Sequence, residues 1–86
     1  MSGVRIGEVT HFYDRINVAV IKLSTTLHKG DRVHFLGHGS DFQQEIASMQ
    51  IEHESIDTAN SGQEIAIKVT KPVKQHTAIF LITDEE

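Results

Sequence analysis

His38, Ser40 and Asp41 bring the imidazole, hydroxyl and carboxylate of a nucleophilic triad into one short stretch after Gly37. Triad chemistry needs the base to reach the hydroxyl while the acid orients the base from behind. Residues this close in one turn do not meet that geometry. Asp41 reads better as a turn residue hydrogen-bonded to its own backbone. Gly37-His38-Gly39 is too little for a phosphate loop, because no helical pattern follows to present its N-terminus. With no Walker sequence anywhere, nucleotide hydrolysis is excluded. The expectation is a non-catalytic protein.

Six histidines raise the question of a metal. His34 and His38 stand four apart, a spacing that converges on a helix but not across a strand and turn. His53 falls at the far end of the next expected strand, with Glu52 and Glu54 on the opposite face. His34, His38 and His53 are the metal-ligand candidates, but the pattern fits partly exposed strand histidines better. No metal or other cofactor is expected.

Charge is uneven along the chain. Glu52, Glu54, Asp57 and Glu64 make one segment acidic, whereas Lys68, Lys71, Lys74 and His76 make the next basic and free of acids. Lysines around the single proline, Pro72, can touch phosphates, and each such contact would make binding salt-sensitive. A solvated loop explains the same pattern. Phe12-Tyr13 and Phe42 are the aromatic residues placed to act as stacking platforms.

The elements that position these residues read as strands. The chain has 86 residues, 38% hydrophobic and 6% aromatic, so one domain with an aliphatic core is expected. Net charge is −4, which supplies no overall basic field for nucleic acid. There is no cysteine, and hence no disulfide, thiol nucleophile or cysteine-based zinc site. No apolar run reaches membrane-spanning length, and Ser2-Gly3 opens no signal-peptide pattern, so a soluble cytoplasmic protein is expected.

Val18 to Leu23 is a β-branched run too short for a helix, Val33/Phe35 and Ile65/Ile67/Val69 alternate, and Ile79 to Ile82 is apolar on both faces. Six strands are predicted near 4–12, 16–24, 31–37, 42–53, 63–70 and 77–83. The alternation Val4, Ile6, Val9 slips at Gly7, which predicts a bulge or a close backbone approach. In the fourth strand the apolar set changes face between Ile46 and Ala47, which predicts a bend. Near-regular spacing without helix reads as a small closed barrel or sandwich, with closure favoured because no helix is available to cover open edges. The domain spans 1–86, with its core at 4–83 and an acidic tail at 84–86.

Several motifs in order resemble a known family. Gly7-x-Val9, Leu27-x-x-Gly30-Asp31-x-Val33, Ser48-Met49-Gln50 and Ala59-x-x-Gly62-x-x-Ile65-x-Ile67 look like the second domain of translational GTPases. The run from Ser48 to Glu54 is similar to that domain in elongation factors of the Tu/1-alpha type. Small translation elongation factor-like proteins share Gly37-His38-x-x-Asp41-Phe42 followed by Ser48 to His53. A similar barrel closes some collagenase-like peptidases at their C-terminus. The resemblance implies a six-stranded closed β-barrel, antiparallel-rich, of the translation-factor domain 2 type.

It further implies a binding module docking on RNA, such as tRNA or the ribosome, or on a translation-related protein. Lys68, Lys71, Lys74 and His76 are then the polyanion contacts. The alternative is a protein-interaction or assembly module related to the accessory barrel of the peptidases, without RNA binding.

Overall fold

Strict alternation runs through the strands that carry the core. Ala19, Ile21 and Leu23 point inward from one, Val33 and Phe35 from another, Ile65 and Ile67 from a third, and all are buried. The computed structural model describes residues 2–83; the acidic tail expected at 84–86 lies outside the described residues. The fold is all-β, with no helix among the described residues and so none long and apolar enough to cross a membrane. The strands are β1 (Ser2–Tyr13), β2 (Val18–Leu23), β3 (Leu27–His28), β4 (Arg32–Gly37), β5 (Ser40–Glu45), β6 (Met49–Ile51), β7 (Glu54–Ile56), β8 (Thr58–Ala59), β9 (Glu64–Lys68) and β10 (Ala78–Thr83).

Eight strands hydrogen-bond in the order β5-β4-β10-β1-β2-β9-β6-β7, and β3 with β8 forms a separate two-residue ladder. The order does not return on itself, so the closed six-stranded ladder expected from sequence is not formed. The reason lies in the predicted fourth strand. Instead of running to residue 53, the chain leaves β5 at Ile46, where its N–H donates to the Asp31 carbonyl at 2.8 Å and its carbonyl accepts from Gly30 N–H at 2.8 Å. Met49 is the next buried residue, so the bend expected between Ile46 and Ala47 is present. β6 then pairs with β9 and folds back as β7 through Glu52-His53.

A side chain spans the gap that the backbone leaves. Gln44, buried on β5, donates from Nε2 to the Lys68 carbonyl at 2.8 Å and accepts at Oε1 from Thr70 N–H at 2.9 Å. A carboxamide offers the same donor and acceptor as a peptide group. Gln44 therefore does for β5 and the segment after β9 what a rung of ladder would do.

Gly7 behaves as its place in the sequence predicts. The β1–β10 register shifts between Arg5 and Gly7, and a Cβ at Gly7 would stand 2.3 Å from the Lys22 carbonyl oxygen. Only a residue without Cβ lets β1 and β2 approach so closely. A second irregularity, between Val9 and His11, lets β1 keep both Val9 and Phe12 on its core side. The core is aliphatic apart from one ring pair, Phe35 on Phe42, with centroids 4.9 Å apart and planes 12° from parallel.

Candidate functional site

The four polyanion candidates share one crossing. Lys68 ends β9 facing outward, and Lys71, Lys74 and His76 lie on the segment that runs from β9 to β10. That segment is tied down. Buried Thr77 donates its hydroxyl to the Lys74 carbonyl at 2.7 Å, His76 N–H donates to the Val9 carbonyl at 2.7 Å, and Val9 N–H donates to the Thr77 carbonyl at 2.9 Å. Its cations are partly engaged as well. Lys71 Nζ stands 5.8 Å from the centroid of the Phe42 ring, and His76 Nδ1 is 3.4 Å from Glu8 Oε2. Phe42 is buried against Phe35, and Phe12 packs on the core, so neither offers a free stacking face, whereas Tyr13 is about half exposed.

The histidine candidates separate. His34 Nε2 lies 2.6 Å from Asp41 Oδ1, across the β4–β5 pair. The Asp41 carboxylate thus faces a neighbouring strand, and the backbone-capping role expected of it is replaced by this contact. The turn itself is His38-Gly39, both at positive φ (51° and 89°), closing a two-residue hairpin between Gly37 and Ser40. Such a type I′ turn matches the twist of the flanking strands. The same geometry recurs at Glu52-His53, with φ of 50° and 69° between Ile51 and Glu54. His53 is therefore a turn residue at the other end of the sheet order, correcting its expected place at a strand end. His38 has its ring centroid 6.4 Å from that of His76. Among the described residues no three His, Asp or Glu side chains converge as a metal site.

The feature that sequence reading missed is on the outer face of β1, β2, β9 and β6. Cross-strand pairing lays outward side chains there in three rows. Glu8, Lys22 and Glu64 form a charged row. His11, Val20, Ala66 and Gln50 form the next, and Tyr13, Val18 and Lys68 the third. The His11 and Tyr13 rings lie 4.4 Å apart on β1. A groove of about 480 Å³ opens over the two less charged rows, walled by Tyr13, Ile16, Val18, Val20 and Ala66, with Gln50, Glu52 and His53 at its far side. Tyr13 and Ile16 are about half exposed, at 49% and 58%. Apolar side chains clustered in a concave surface mark a contact site more strongly than scattered ones do. A signal was present in sequence: Val18, Ala19, Val20 and Ile21 are apolar on both faces of one strand, and one of those faces must look outward.

No family model matches the chain. Over 82 residues, 94% of its length, it is 29% identical to an uncharacterised protease of Methanocaldococcus jannaschii, and it spans about a fifth (20%) of that relative. The backbone matches the C-terminal domain of a Geobacillus thermoleovorans protein assigned to the U32 peptidases, with a TM-score of 0.85 and 22% identity over 91% of each chain. The selenomethionine variant of that domain gives a TM-score of 0.84 and 23% identity, covering 88% of this chain and 96% of the other. The fold is thus the one seen in that C-terminal domain. This agrees with the peptidase side of the sequence resemblance; the elongation-factor side is not shown by these matches.

Proposed function

We propose that this chain is a non-catalytic accessory module that binds a protein partner through the groove on β1, β2, β9 and β6. The observation that carries the reading is the likeness to the C-terminal domain of a U32 peptidase, joined to an exposed apolar groove on a sheet face. By the same analogy the partner is the catalytic part of a peptidase. The RNA reading has less behind it: net charge is −4, Lys71 lies over Phe42 and His76 faces Glu8, which leaves Lys68 and Lys74 as the exposed cations of the basic segment.

The test is sedimentation of this chain with the M. jannaschii protease trimmed of its matching segment, beside a parallel titration with total tRNA. The expected result is co-sedimentation with the trimmed protease and no salt-dependent binding of tRNA. Binding of tRNA that is lost when Lys68, Lys71 and Lys74 become Ala would replace this reading with the RNA one.

A further inference from the structure

Two properties of the groove bear on what fills it. The first is size. Eight residues line it, whereas a stable pair of folded surfaces takes about 20–30 residues a side. Neither a second copy of this chain nor a broad globular face is matched to so small a feature. A short extended segment is.

The second property is charge. Glu52 lines the groove and also an adjoining hollow that it shares with Lys22 and Glu64. Glu54, on the same hairpin, pairs with Ile51 and so takes the other face of the sheet. Among the described residues, none of Glu52, Glu54 and Glu64 takes part in the ion pairs, which join Arg5 to Glu8, His28 to Asp31, His34 to Asp41 and His76 to Glu8. Lys22 stands between Glu8 and Glu64 in the charged row and offsets part of this charge. Glu52, beside His53, is the carboxylate at that end of the groove. The opposite end carries Tyr13 and Ile16, with Lys68 beside Val18.

We infer that the groove receives a short, extended peptide segment of a partner protein, with apolar side chains over Val18, Val20 and Ala66 and a basic residue against Glu52. This rests on the accessory-module reading above and adds the chemistry of the occupant. Apolar contact supplies the anchor, and the carboxylate fixes the direction in which the segment lies.

The probe is a pair of synthetic peptides, acetylated and amidated: Lys-Lys-Leu-Phe-Val-Ser and its counterpart Glu-Glu-Leu-Phe-Val-Ser. Each is titrated into the isotope-labelled full chain and followed through amide chemical shifts at low salt. The basic peptide is expected to move the resonances of Val18, Val20, Gln50, Glu52 and Ala66 as a group. Glu52→Gln should weaken that binding by about two- to fivefold, and Val20→Glu should abolish it. Ala66→Glu serves as the second groove variant, and an unchanged spectrum elsewhere shows that each variant folds. Shifts outside the groove, no shifts, or equal binding of the acidic peptide would overturn the inference. So would movement of the same resonances with protein concentration alone, which would make the occupant a second copy. If the peptides fail while the trimmed protease still binds through Val20, the module stands and the peptide inference falls.

Discussion

Gln44 is the residue on which the joining of β5 to the rest of the sheet depends most. Its amide satisfies the Lys68 carbonyl and the Thr70 N–H, which have no ladder partner there. Replacing it by Leu keeps the apolar stem but leaves both groups unpaired, at a cost of about 1–3 kcal/mol. Urea denaturation of Gln44→Leu should show that loss; unchanged stability would mean that the clasp contributes nothing. Gly7 makes the second prediction at this scale. A Cβ there would stand 2.3 Å from the Lys22 carbonyl oxygen, and backbone cannot move aside as a flexible side chain would. Gly7→Ala is expected to cost about 2 kcal/mol or more. Gly30, at φ 95° with open space around it, should instead tolerate Asn, a residue suited to positive φ. Equal losses at both positions would contradict the close-approach account of Gly7.

Two hairpins share one turn geometry at the level of elements, yet only one has a sequence that announces it. His38-Gly39 carries glycine where the second central residue needs positive φ. Glu52-His53 takes the same conformation without Gly, Asn or Asp. A long strand was therefore the natural reading of 42–53, and the β6–β7 hairpin stayed hidden. Changing Glu52-His53 to Asn-Gly should raise stability by about 0.5–1 kcal/mol while removing the Glu52 carboxylate from the groove. A loss of stability measured by urea denaturation would contradict the type I′ assignment.

Other features were legible because their signals are local. The slip in alternation at Gly7, the change of face after Ile46 and the β-branched run at Val18 each describe a few neighbouring residues. Gln44 was not legible: its partners at Lys68 and Thr70 lie 24 and 26 residues along the chain, and nothing near it points to them. The groove failed for the same reason. Tyr13, Val20, Ala66 and Gln50 meet only through the register of four strands, which no single strand encodes. The histidines and lysines attracted attention because they cluster in sequence, and the fold distributes them among turns and surface pairs.

Charge and surface shape are properties of the whole molecule, and both favour a protein partner. A chain of net charge −4 gains no long-range attraction to a polyanion, and its basic segment lies beside Glu8. Lys71 and Lys74 lie on the segment between β9 and β10, outside the groove lining, whereas Lys68 stands beside Val18, so the two contributions separate when Lys71 and Lys74 alone are changed. Val20 is partly exposed on the outer face, and substitution there leaves the buried set Ala19, Ile21 and Leu23 intact. The most direct measurement is therefore sedimentation of the full chain with the trimmed M. jannaschii protease, comparing Val20→Glu with the double change of Lys71 and Lys74 to Ala. A docking role through the groove predicts that Val20→Glu abolishes the complex and that the double lysine variant retains it. Retention by Val20→Glu with loss in the lysine variant would contradict that role.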